Sequence, residues 1–154
     1  MVLLFGFLLG CICGLRSLTA PAAVCWAAHF GWLRFDGTRL AFLDKPALLA
    51  VITLLAIGEL IADKLPRTPS RTAPLGLTAR IVLGGASAAA LAVSARGNLP
   101  VAVVAGAVGG IVGAFAGYNV RHTLVAKNGM PDFLVALAED AVAIVGGLLI
   151  VSRV

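Results

Sequence analysis

The sequence predicts an all-α fold, a polytopic transmembrane helix bundle of about five spans with a broken first helix, in which residues 1–154 form a single transmembrane domain. Three observations predict it. Hydrophobic residues make up 60% of the chain and charged residues 12%, and a mean hydropathy of +1.04 leaves too few polar side chains to cover a water-facing exterior. The apolar residues fall in runs close to the roughly 20 that a span requires, punctuated by proline and glycine turns. The net charge of +5 is spread singly over the ends of those runs, the pattern of membrane flanks. Binding to nucleic acid would need a basic patch with interleaved aromatics, so no nucleic-acid partner is expected.

Val2 to Leu33 is apolar except for Gly14-Leu15-Arg16-Ser17-Leu18-Thr19-Ala20-Pro21, which predicts a helix break. Thr19 is placed to cap a second helix, and Pro21 fits its first turn, where a missing N–H costs nothing. Each piece is shorter than a span. The pair is therefore either one kinked crossing or a re-entrant pair, and the kinked crossing is the expectation. Arg34 to Lys45 is a polar connection with a turn at Asp36-Gly37.

Pro46 opens an apolar run that reaches Leu65, the second span, and Pro66-Arg67-Thr68-Pro69-Ser70-Arg71 reads as a tight basic loop. Thr72-Ala73-Pro74 starts a third helix that ends near Ser94 and carries Arg80; Arg96-Gly97-Asn98 is the next turn. The fourth helix covers Pro100 to Ala126. Its Gly106, Gly109, Gly110, Gly113 and Gly117 repeat at three- and four-residue spacing along one face, which suits close backbone approach in lipid. That face is either a homo-oligomer seam or a contact within the chain; so few spans enclose little cavity alone, which motivates a homodimer. Asn128 to Pro131 makes the last turn, and Asp132 opens a fifth helix that reaches Val151.

The second span ends, the third begins, the fourth ends and the fifth begins on one membrane face. Basic residues are slightly in excess there, which leans that face toward the cytoplasm of a multi-pass protein in the cell inner membrane. By helical rise, Glu59, Arg80, Arg121 and Glu139 all lie about 8–10 Å in from that face. A lone ion at such depth costs several kcal/mol, so the four are expected to meet inside the bundle. Asp63 shares the helix face of Glu59 and extends the cluster toward water. Asp140 points about 100° from Glu139, which leaves one of the two to face a cavity. Arg16, at the helix break beside the Ser17 and Thr19 hydroxyls, is placed to hold an anionic group or one of these carboxylates.

These seven residues, Arg16, Glu59, Asp63, Arg80, Arg121, Glu139 and Asp140, form the expected substrate-binding site. The reading is a permease-like transporter or channel for a small solute or ion, with a purely structural ion network as the alternative. No catalytic residue, metal ligand or cofactor is expected, and the chain is read as not an enzyme. No nucleophile elbow or zinc-protease motif occurs, and an aspartate pair of Asp63 and Asp140 lacks the glycine-rich surroundings of a protease dyad. Cys11, Cys13 and Cys25 sit in apolar segments and read as small core residues. Leu8-Leu9-Gly10-Cys11 loosely resembles a lipobox, but no basic residue precedes it and no cleavage is expected. His29 and His122 read as interfacial or polar-lining residues.

Gly14-Leu15-Arg16, the run Gly58-Glu59-Leu60-Ile61-Ala62-Asp63-Lys64-Leu65-Pro66, the Arg80 helix and Leu137-Ala138-Glu139-Asp140-Ala141 together resemble a family of bacterial membrane proteins, the domain of unknown function numbered four-one-two-six. Glu-x-x-x-Asp-Lys-x-Pro followed by Ala-Glu-Asp is the most specific element. The resemblance implies a membrane protein and singles out the same charged positions, without implying an activity.

Overall fold

A computed structural model describes residues 1–64 and 72–154. The basic loop expected at Pro66–Arg71 and the end of the second span at Leu65 lie outside the described residues. Among the described residues six α-helices follow one another: α1 (Val2–Leu15), α2 (Thr19–His29), α3 (Pro46–Ala62), α4 (Pro74–Ser94), α5 (Leu99–His122) and α6 (Asp132–Val151). A π-helical turn, Thr123–Lys127, prolongs α5, and no strand occurs among the described residues. Prolines in the first turn start α3, α4 and α5, where their fixed φ suits the helix and no donor is lost. The Asn98 side chain caps α5 by accepting from the Val101 N–H at 3.2 Å.

Among the described residues, three helices are long and apolar enough to cross a membrane: α4, α5 with its extension, and α6. The apolar helices α1 and α3 are shorter, so three of the about five expected spans have spanning length within the described residues. The fold is that of a membrane-like helical protein, and its first two helices are arranged differently from the expectation. The kinked crossing expected for residues 2–33 is replaced by a re-entrant pair. At one end, the Val2 side chain lies against Gly97, while the Arg34 N–H donates to Ser94 Oγ at 3.0 Å, so both ends of the pair reach the Ser94 end of α4. Midway, Gly147 of α6 faces Ile12 of α1 and Ala23 of α2 together. In one continuous helix those two residues would stand about 16 Å apart.

The glycines explain how such a pair is held. Gly6 of α1 packs beside the Ala102 carbonyl of α5, Gly10 beside Gly106, and Gly14 beside Gly110, a parallel ladder in which both chains advance by four residues. Added Cβ atoms at Gly10, Gly109 and Gly113 would strike backbone carbonyls of the opposing helix, those of Gly106, Phe7 and Cys11. On its other flank the glycine face meets α4: a Cβ at Gly110 would lie 2.7 Å from the Arg80 carbonyl, and one at Gly106 would strike that of Gly84. Gly117 is buried as well. The face is therefore filled by α1 and α4 of the same chain, and it is not an open seam for a second copy. Lipid supplies no hydrophobic drive between helices, so this close backbone packing is a principal attraction available to them.

Around this three-helix centre, α2, α3 and α6 form the second half of the bundle. Leu9, Ala27, Leu33, Leu91 and Val151 share one buried core. Glu59 reaches the start of α2 and Thr53 its middle, so α3 runs antiparallel to α2. Cys13 and Cys25 are buried in this framework and Cys11 partly so.

Candidate functional site

The fold-back places the tip of the re-entrant pair, residues 15–18, deep in the bundle. Arg16 adopts an extended backbone, φ −138° and ψ 111°, and its side chain has no exposed surface. Three carboxylates converge on it. Asp140 Oδ1 accepts from its Nε at 2.6 Å, Asp63 pairs with Nη1, and Glu139 Oε2 stands 3.6 Å from Nη2. Lys64 Nζ holds the other Asp140 oxygen at 2.5 Å and donates to the Leu60 carbonyl at 2.9 Å. A delocalised guanidinium can serve several planar acceptors at once, which a compact ammonium cannot.

Breaking a helix at this depth exposes backbone groups that lipid cannot satisfy. Two charged side chains serve the two ends. Glu59 of α3 accepts the N–H groups of Ser17 and Leu18, each at 2.8 Å, and the Ser17 hydroxyl; it is a carboxylate at the positive end of α2. The Thr19 hydroxyl, expected to cap this helix, makes no such bond, since Leu18 is the N-cap and no side chain local to the turn caps it. At the other end, Arg80 Nε donates to the Gly14 carbonyl at 3.1 Å, a cation at the negative end of α1. Arg80 also donates to the Gly76 carbonyl at 3.0 Å and lies 4.0 Å from Glu59.

The structure thus brings together six of the seven expected residues: Arg16, Glu59, Asp63, Arg80, Glu139 and Asp140. Asp63 meets Arg16 directly, although it was expected only to extend the cluster outward. Glu139 and Asp140 both turn to Arg16, although one was expected to face a cavity. Arg121 is elsewhere. It forms a two-pronged pair with Asp132, 2.7 and 2.8 Å, and Asp132 is 54% exposed. The reason is length: α5 and its extension run for 29 residues, and Gly110 already lies level with Arg80, so the Arg121 backbone stands about 16 Å along the helix beyond that level, and its guanidinium feels Glu139 and Asp140 only through space. Lys64 is the member that sequence reasoning missed, and its signal was its place one turn beyond Leu60, beside Asp63.

Over residues 3–152 the chain matches the protein family described as Domain of unknown function (DUF4126). It belongs to that family. No curated protein and no solved structure gives a match, so what the DUF4126 site does is argued from its own geometry. Arg16 to Leu18, Glu59 to Lys64, Arg80 and Glu139-Asp140 all fall inside the matched residues of this DUF4126 chain.

The location of Arg121 leads to a prediction. Arg121→Gln lowers stability in detergent by about 0–1 kcal/mol, the range of solvent-accessible ion pairs, and melting curves of the purified variant test it. A loss as large as that of a hub substitution would place Arg121 back in the cluster.

Proposed function

We propose that the protein is a permease-like carrier or channel for a small solute or ion in the bacterial inner membrane, not an enzyme, with its polar site at the tip of the re-entrant pair. One observation carries this reading: Arg16, with no exposed surface, is shared by Asp63, Glu139 and Asp140 within the apolar part of the bundle. Such a cluster is no more stable than apolar packing of similar volume, and intramembrane ionisable groups mark solute and proton routes. Half-helix ends at mid-membrane support the same reading, since transporters use them to hold charged cargo. Here the ends of α1 and α2 hold Arg80 and Glu59, two charges that cargo of like sign would replace. Arg16, Glu59, Asp63, Lys64, Arg80, Glu139 and Asp140 form the site.

A second reading is favoured by the capping of α2. Both Glu59 oxygens take donors from the start of that helix, so the network also acts as a structural clamp for the broken segment. Flux separates the two readings. Wild type and the paired Glu59→Gln and Arg80→Gln variants are reconstituted in liposomes loaded with proton- and ion-sensitive dyes. The permease reading expects flux above that of empty vesicles in wild type and its loss in folded Glu59→Gln. Wild-type vesicles as tight as empty ones across protons and a panel of small ions, with variants that only melt earlier, establish the clamp alone.

A further inference from the structure

A cleft of about 350 Å³ lies between α2, α3 and α6, apart from the charged hub. Its walls are Ala22, Ala23 and Trp26 of α2, Ala56 and Ile57 of α3, and Ile144 of α6. Small side chains on facing helices leave the space open. It follows α2 from Thr19, beside the hub, to Phe30, a length of about 16 Å by helical rise. One hydrogen bond crosses it, from Trp26 Nε1 to Thr53 Oγ1 at 3.1 Å.

What fills the cleft follows from the surface it opens onto. Ile57 is 47% exposed and Ile144 40% exposed, so the same side chains that wall it also belong to the outer apolar surface of α3 and α6. Leu54, Ile61, Val145 and Leu149 continue that surface to either side. The cleft is thus an inlet of the lipid-facing exterior. Water would find few polar partners in it, and an empty apolar void forfeits the contacts of its walls.

We propose that the cleft binds one acyl chain of a bilayer phospholipid, drawn from the leaflet at the Ser94 end. The chain lies along α2 with its end toward Thr19, and its headgroup stays at the level of the exposed aromatic group of Phe30 and Trp32. Its contribution falls on α3. That helix buries only Leu49 and Ala56, yet it delivers Glu59 and Asp63 to the hub. A chain wedged between α3 and α6 supplies the lateral contacts that protein side chains do not.

Trp26 reports on the cleft, and the only other tryptophan is Trp32. In Trp32→Phe protein reconstituted with phosphatidylcholine brominated midway along its acyl chains, Trp26 loses most of its emission, while aqueous iodide leaves it unchanged. Two variants that fill the cleft from different walls, Ala56→Phe and Ile144→Phe, each at least halve that loss. Helicity and Trp26 emission in unbrominated lipid show that at least one of them is folded. Quenching by iodide instead of bromine would mean a water-filled cleft and overturn the proposal. Equal bromine quenching in wild type and a folded, filled variant would reduce the contact to ordinary exposure and overturn it too. Bromine quenching that appears only on dilution would assign the cleft to a second copy of the chain, again overturning it.

Discussion

Arg16→Gln is expected to destabilise the bundle by about 3–5 kcal/mol, the cost of removing one partner from a buried ion pair. The size follows from what the change leaves behind. Asp63 and Glu139 lose the guanidinium that faces them, and Asp140 keeps Lys64 alone. Arg16→Lys retains the charge but not the fork that spans three carboxylates, so its loss falls between wild type and glutamine. Thermal unfolding in mild detergent, followed by labelling of the buried Cys13 and Cys25 thiols, measures both. Adding Glu139→Gln to Arg16→Gln should recover part of the loss, because it removes one of the acids that had shared the guanidinium while leaving the Lys64–Asp140 pair in place. A glutamine variant that melts with wild type would mean that Arg16 is not the hub.

Gly106→Val is expected to have a comparable effect, about 3 kcal/mol, at the upper end of what overpacking usually costs. The argument rests on which atoms are met. A Cβ at Gly106 would run into the Gly84 carbonyl and come within 2.5 Å of the Ala88 Cβ. A flexible side chain could swing aside, but a helix backbone moves only as a unit, and moving α4 also disturbs Arg80 and its bond to Gly14. Gly58→Ala is the control. Nothing lies within 4 Å of a Cβ there, so it should cost no stability, and alanine is the better helix former. The same thiol-labelling curves distinguish them. If Gly106→Val left the protein as stable as wild type but shifted its oligomeric state, the contact within the chain would be refuted.

Much of this architecture is readable in the sequence, and its limits have definite causes. Prolines at positions 46, 74 and 100 mark helix starts, because a residue without an N–H is tolerated in the first turn; α6 likewise runs from Asp132 to Val151 as its flanking turn and apolar run indicate. The depth of Glu59, Arg80 and Glu139 follows from helical rise alone. Direction around a helix axis does not, and neither does the length by which α5 overshoots, which is why Arg121 was misplaced. A kink and a fold-back need the same residues at the break, so Gly14 to Pro21 cannot separate them. The separating signal was in α1: Gly6, Gly10 and Gly14 repeat every four residues and match the glycine spacing of α5. Read together, the two faces pair helices whose side-by-side packing turns the chain back. The capping of α2 by Glu59 joins residues 41 and 42 positions apart, and no local pattern announces it.

The distance along the chain between Arg16 and the last of its counter-charges has a consequence for biosynthesis. Arg16 and Asp140 are separated by 124 positions, so at ribosomal speeds the guanidinium leaves the exit tunnel on the order of 10 s before the last carboxylate of its cluster. Glu59 and Asp63 emerge early in that wait and α4 and α5 during it, so the tip of the N-terminal hairpin gains its partners in stages, with Glu139 and Asp140 last. The charge at the tip is therefore fully neutralised only once the last helix, α6, has been made.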